Sequence, residues 1–309
     1  MVNNNRIAGK VTGNPVSKGI QLNFQPIPVP FDITQGLNWI RNWDFFNGIL
    51  LHISFTDKET HSVLGSAVLV ASLTALSATH VIEPYLKRIM NGEVSCTCFG
   101  ITSEGMQAWR VKKFLMVPGT DLMILGLEIA SELPENNVFY QSLITTRLPK
   151  IGESLLLTGF RAGENMFPVN DDPPGAEWSG DVFVSRGTVT QQYLNGRDKS
   201  MIPFAVLEVN TLSLGGMSGG PVYDENGLLV GLVCSSLETS TGEGVSYISL
   251  LWQVLTARFE PSFTIKELKS PTTLLEMNKV GLCAIDRPEV IEAIYENDGT
   301  VHTRYKIWE

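Results

Sequence analysis

The feature that most restricts this chain is a train of short runs rich in Val, Ile, Leu and Thr, separated by Gly, Pro, Asn and Asp. They fall at Ile49–Phe55, Gly65–Ala71, Val94–Ile101, Ala108–Met116, Asp121–Leu127, Ser154–Phe160, Val182–Gln191, Phe204–Val209, Leu228–Val233 and Gly244–Ile248. β-Branched and aliphatic side chains fit a pleated, half-buried surface, and the punctuating residues supply the turns between such surfaces. So many short strands with so few helical stretches predict an all-β barrel or sandwich. At 309 residues the chain has room for two small domains, each with its own core.

The ends read differently from the middle. Residues 1 to about 45 are Gly-rich and then carry Pro26-Ile27-Pro28-Val29-Pro30, which predicts an irregular, extended arm. Asp57-Lys58-Glu59-Thr60 reads as a turn, and Ser131 to Asn137 as a break that divides the strands into two groups of similar size. Arg161 to Asp181, containing Asp171-Asp172-Pro173-Pro174-Gly175, reads as a long loop. Beyond Phe259, Arg287 to Tyr295 predicts a short helix with a proline in its first turn, and Val301 to Trp308 alternates like a strand.

Bulk properties exclude several classes. Hydrophobic residues make up 43% and charged residues 18%, an ordinary globular balance. A net charge of -9 argues against a nucleic-acid partner, and short basic runs such as Arg110-Val111-Lys112-Lys113 read as solvated strand faces. No run is apolar for long enough to span a membrane as a helix, so no membrane partner is expected. Cys96, Cys98, Cys234 and Cys283 make neither a disulfide framework nor a zinc spacing and read as free thiols. The stretch from Met1 to Arg6 has no apolar signal core, and together with the thiols it predicts a cytoplasmic protein.

Three segments carry chemistry. In Gly216-Met217-Ser218-Gly219-Gly220-Pro221 the glycines give backbone N–H groups the freedom to converge beside an exposed hydroxyl. His80, in Leu76-Ser77-Ala78-Thr79-His80-Val81, stands at a strand-to-loop junction. Asp121 leads into the apolar Leu122-Met123-Ile124-Leu125, where a carboxylate needs a partner and a histidine N–H suits it. Taken singly, each has a structural alternative: a Gly-rich turn, a core histidine, a turn-capping aspartate.

Together, and in the order His, Asp, Ser, these segments resemble those of the trypsin-like (chymotrypsin-fold) serine peptidases, in their disulfide-free bacterial and intracellular branch. Pro149 to Phe160 and Val230-Gly231-Leu232-Val233 add to the resemblance, which covers roughly residues 46 to 256. It implies two six-stranded antiparallel β-barrels, the first over 46–135 with His80 and Asp121 and the second over 136–258 with Ser218. An N-terminal arm (1–45) and a short α/β C-terminal extension (259–309) flank them. It implies Ser218 as nucleophile, His80 as general base and Asp121 as its orienting carboxylate, with the N–H groups of Gly216 and Ser218 as an oxyanion hole. The substrate would be a protein or peptide, and no cofactor or metal is required. Leu212, Ser213, Ser235, Ser236 and Gly244 would line the pocket for the side chain before the cleaved bond, favouring an apolar residue. Met217 stands where zymogen-activated members carry an aspartate, so Arg6-Ile7-Ala8-Gly9 is not read as an activation site. Control by loop ordering, or by a partner held through the arm or the extension, is expected instead. Cys234 replaces a serine beside the triad carboxylate and is a weaker donor. A latent trypsin-like fold acting as a protein-binding module is the alternative.

Overall fold

The computed structural model describes residues 7–12, 22–29, 36–39, 46–57, 61–102, 105–134, 138–161, 166–169, 175–238, 244–296 and 301–306. Three strands come first: β1 (Ile7–Thr12), β2 (Asn23–Ile27) and β3 (Gly36–Trp39). Six more follow: β4 (Leu50–Thr56), β5 (His61–Ala71), β6 (Thr74–Ala78), β7 (Ser95–Thr102), β8 (Gly105–Met116) and β9 (Leu122–Ile129). They close into an antiparallel barrel in the order β4-β5-β6-β9-β8-β7. Helices α1 (Thr79–Ile82) and α2 (Leu86–Met90) lie between β6 and β7.

Two short strands, β10 (Val138–Ser142) and β11 (Ile144–Thr145), lead to the second half, which runs β12 (Ser154–Phe160), β13 (Met166–Val169), β14 (Gly175–Gly180), β15 (Val182–Tyr193), β16 (Val206–Val209), β17 (Pro221–Tyr223), β18 (Leu229–Glu238) and β19 (Gly244–Leu250). Of these, β12-β15-β16-β19-β18-β17 form the second ring, with β17 hydrogen-bonded to both β12 and β18. The two six-stranded antiparallel barrels are those expected. Helices α3 (Trp252–Thr256) and α4 (Leu274–Lys279) and strands β20 (Ile285–Asp286), β21 (Ile291–Tyr295) and β22 (Val301–Tyr305) complete the chain. Among the described residues no helix is long and apolar enough to cross a membrane.

The strands read as near-continuous apolar runs because both faces are covered. Along β9, Met123, Leu125, Leu127 and Ile129 enter the interior of the first barrel, while Leu122 and Ile124 join the core it shares with the second. Alternate residues of one strand therefore serve two cores. Trp109 and Phe139, both 0% exposed, meet edge to face at 5.0 Å, and Phe24 stacks on Phe139 at 5.3 Å.

Three expectations from the sequence are corrected. The N-terminal residues are not simply irregular: β1 pairs with β14, β2 runs parallel to β10 and β3 pairs with β15. Among the described residues β2 pairs on one side only, an edge position that tolerates the missing N–H of Pro26. Residues 161–181 are not one long loop, since β13 and β14 form a hairpin there. Residues 287–295 are not a helix: a single 3-10 turn at Pro288–Val290 gives way to β21, whose partner is β22. The turn at 58–60, the end of the break at 135–137, the stretch 171–174 and the final residues 307–309 lie outside the described residues. The basic run on β8 is solvated as expected, with Arg110, Lys112 and Lys113 exposed. All four cysteines are free and buried.

A three-residue ion cluster ties the start of β12 to the β17–β18 turn. Arg147 donates to Glu153 at 2.8 Å and to Asp224 at 2.9 Å, and Asp224 is 0% exposed. The Arg147 hydrogen bond, aided by the Lys150 N–H, lowers the Glu153 pKa. Removing one partner of a buried pair strands the other charge, so Arg147→Ala should cost about 3–5 kcal/mol in urea unfolding at neutral pH. A depressed folded-state carboxyl stabilises above its unfolded pKa, about 4.3 for Glu, and that contribution disappears as pH falls through the lower folded value. Native protein should therefore lose stability below about pH 4.3 more steeply than Glu153→Gln.

Candidate active site

The site begins where β6 and β9 stop pairing. Ala78 is the last β6 residue in register, opposite Leu122, the first of β9. The residues just beyond this pair, Thr79-His80 on one side and Asp121 on the other, are therefore adjacent. Thr79 N–H donates to Asp121 O at 2.8 Å, and its hydroxyl donates to Leu122 O at 3.0 Å. Asp121 leaves a tight turn in which Thr120 Oγ1 donates to Val117 O and accepts from Leu122 N. Gly119, at φ 71°, takes the left-handed position of that turn.

His80 sits in the first turn of α1, so the expected strand-to-loop junction is a strand-to-helix junction. Its Nδ1 lies 2.8 Å from Asp121 Oδ2, and its backbone N–H donates to Oδ1 at 3.1 Å. The carboxylate thus holds both the ring and the backbone of one residue. Exposure separates the two side chains: His80 is 47% exposed and Asp121 only 12%. The imidazole faces solvent while its carboxylate is shielded.

Ser218 comes from the opposite barrel, on the loop between β16 and β17. Two turns wind this loop, with Met217 N–H donating to Leu214 O at 3.0 Å and Gly220 N–H to Met217 O at 2.8 Å. Gly219 N–H donates to Val233 O on β18 at 2.8 Å, and Ser66 N–H of the first barrel donates to Ser218 O at 2.9 Å. Among the described residues neither Gly216 N–H nor Ser218 N–H has an acceptor, so two donors two residues apart are left without a partner there. Gly216, at φ 95°, adopts a conformation a larger residue resists. Among the described residues no hydrogen bond joins Ser218 to His80.

The packing leaves this loop little room. A Cβ on Gly219 would fall 2.3 Å from Ser66 O and 2.8 Å from Ala78 N, two residues before His80. One on Gly220 would fall 2.0 Å from Thr158 O. The Ser218 loop is wedged between β5 and β6 on one side and β12 on the other. Met217 is fully buried, and its Sδ accepts from Leu214 N–H at 3.2 Å.

Of the expected pocket residues, Leu212 and Gly244 touch closely: a Cβ on Gly244 would lie 2.7 Å from Leu212 Cδ1. Ser236 donates to Ser213 O at 3.0 Å, and Ser246 Oγ lies 3.1 Å from Ser213 Oγ. Ser235 is next along β18, opposite Tyr247. The Leu212–Leu214 segment thus lies against the β18–β19 pair. Ser246 and Ser66 belong to the site's framework without any motif that marks them in the sequence.

Cys234, on β18, lies beside Asp121. Burial first, and the Asp121 carboxylate second, push its thiol pKa up. It is therefore a protonated neighbour of the carboxylate and not a competing nucleophile. Among the described residues no cluster of His, Cys, Asp and Glu is able to hold a metal ion.

The family model for the trypsin-like peptidase domain matches residues 65–232. No curated protein matches the sequence. Among solved structures, the MamO protease domain from Magnetospirillum magneticum is 14% identical over 66% of this chain and 93% of that one, at a TM-score of 0.46. Deg5 is 18% identical over 66% and 84%, at 0.44. The HtrA-type protease AlgW, solved with a tripeptide, is 17% identical over 66% and 56%, at 0.44.

Proposed function

The chain belongs to the trypsin-like peptidase domain family, and on that premise we propose that it is a serine endopeptidase with Ser218, His80 and Asp121 as its catalytic triad. The observation that carries this reading is the 2.8 Å contact between His80 Nδ1 and Asp121 Oδ2, beside a loop presenting Ser218 and two unpartnered N–H groups. With its proton on Nδ1, held by the carboxylate, His80 offers Nε2 as the base. Ser218 Oγ attacks the peptide carbonyl carbon and passes its proton to Nε2. The carbonyl oxygen becomes an oxyanion that the N–H groups of Gly216 and Ser218 receive. Collapse expels the amine, which takes the proton from His80 and leaves an acyl-enzyme, and water repeats the sequence to release the acid. Each oxyanion donor contributes on the order of 2.7–4 kcal/mol to the barrier reduction.

The substrate is read as an extended chain. Along one edge β18 pairs with β19 up to Glu238, but beyond Val233 its other edge has no backbone partner among the described residues. A peptide laid on Ser235–Glu238 would add as a strand and present its carbonyl to Ser218. Leu212 and the small Ser213 and Gly244 favour an apolar residue before the cleaved bond.

The missing Ser218–His80 hydrogen bond favours a second reading, a latent site that binds without cutting. A fluorophosphonate probe separates the two readings. Labelling of native protein that vanishes in both Ser218→Ala and His80→Ala supports the peptidase, and peptide-library cleavage then reports the preferred residue. Folded native protein that takes no label supports the latent module.

A further inference from the structure

We infer that the hydroxyl of Ser66 is a positioning group for the nucleophile loop and holds the oxyanion donors in place; this rests on the serine-peptidase reading above.

Ser66 lies on β5 of the first barrel and is 0% exposed. Its polar atoms are all engaged, three of the four bonds in or beside the Ser218 loop. Its N–H donates to Ser218 O at 2.9 Å. Its hydroxyl donates to Gly216 O at 2.8 Å and accepts from Phe160 N–H, at the end of β12, at 2.9 Å. Its carbonyl accepts from Ser77 Oγ on β6 at 2.8 Å. One side chain thus connects both barrels through the loop that carries the nucleophile.

The bonds fall where they matter for the two free donors. Ser66 fixes the carbonyls of Gly216 and Ser218, which belong to the peptide planes on either side of the plane carrying Ser218 N–H. A plane bracketed by two anchored neighbours has little freedom to rotate. Gly216 N–H belongs to the plane just before the first anchor, at a glycine whose φ of 95° is soft. Met217, fully buried and uncharged, has no ion pair with which to hold the loop. Shape supports the same role: a Cβ on Gly159 would fall 2.7 Å from Met217 Cα and 3.0 Å from Ser66 Oγ, so Gly159 keeps this junction open.

Ser66→Ala removes the donor to Gly216 O and the acceptor for Phe160 N–H. The Gly216–Met217 peptide plane then keeps its Met217 N–H bond to Leu214 O but loses its anchor at Gly216 O. That gives Gly216 more freedom to turn its N–H away, which weakens transition-state stabilisation and leaves ground-state binding alone. The test measures kinact and KI for a fluorophosphonate probe on native protein, Ser66→Ala and Ser142→Ala, with Ser218→Ala as blank. Ser142 is an equally buried hydroxyl bonded at 2.9 Å to Tyr223 on β17, with no hydrogen bond to residues 214–220 among the described residues, and controls for general loss of stability.

The expected result is a kinact for Ser66→Ala about 10- to 100-fold below native, KI unchanged within about twofold, and Ser142→Ala indistinguishable from native. Should Ser66→Ala not fold, Ser66→Cys keeps the shape with a weaker donor and should lower kinact in the same sense. Native kinact in the folded Ser66 variant, or an equal loss in Ser142→Ala, overturns the inference and leaves the peptidase reading standing. Folded native protein that takes no label overturns that reading, and this inference with it.

Discussion

Asp121→Asn should lower kcat/KM for a peptide ester by about 10⁴-fold while shifting KM little. The size of the effect follows from which atoms the carboxylate occupies. Oδ1 accepts the backbone N–H of His80 at 3.1 Å, and Oδ2 lies 2.8 Å from Nδ1. A carboxylate has two acceptors and meets both demands, whereas an amide has one. Its oxygen will stay with the backbone N–H, which cannot change character. The amide NH2 then faces Nδ1 and turns that nitrogen into an acceptor. The ring proton moves to Nε2, and Ser218 meets a donor where it needs a base. The side chain keeps its shape, and urea unfolding should change by less than about 1 kcal/mol. Near-native turnover in a folded Asp121→Asn protein would refute the triad assignment.

How much of this was legible in the sequence depends on how local each signal was. His80 and Asp121 were legible because each stands next to an apolar strand, and the β6–β9 register then makes them neighbours. Ser218 was legible because the glycines around it serve a backbone that must pass close to other atoms. The barrels were legible as strand runs, although two of their strands are not among those runs: β6, whose Thr74–Ala78 sits between a turn and a helix, and the three-residue β17. The N-terminal strands were not legible, since each takes its partner from a distant part of the chain: β1 from β14, β2 from β10, β3 from β15. Composition in such a segment reflects little of its own structure. Ser66 was missed for the same reason. A serine inside a strand has no motif, and its bond to Gly216 crosses 150 residues of sequence. Long-range polar contacts of this kind leave no period or spacing to read.

Gly219→Ala tests the idea that the glycines of this loop are required by space and not by backbone angle alone. Gly219 has φ 78°, and Gly92, in the turn after α2, has φ 72°. An alanine at either pays the left-handed penalty of about 1–2 kcal/mol. The surroundings differ completely. A Cβ on Gly92 meets nothing within 4 Å. At Gly219 it would fall 2.3 Å from Ser66 O, 2.4 Å from Ser77 Oγ and 2.8 Å from Ala78 N, and two of those atoms belong to residues paired in the first barrel, Ser66 with His52 and Ala78 with Leu122. Backbone in a closed barrel yields little, so relief must come from the loop. That movement would stretch the Gly219 N–H bond to Val233 O and the Ser66 N–H bond to Ser218 O. Gly92→Ala should therefore lose about 1 kcal/mol in urea unfolding and keep native phosphonylation. Gly219→Ala should lose about 4 kcal/mol or more, with phosphonylation down by about 10³-fold in whatever fraction stays folded. Equal, small losses at both positions would mean that the loop is held by its torsions and that its wedged position between the barrels has no part in aligning Ser218 with His80.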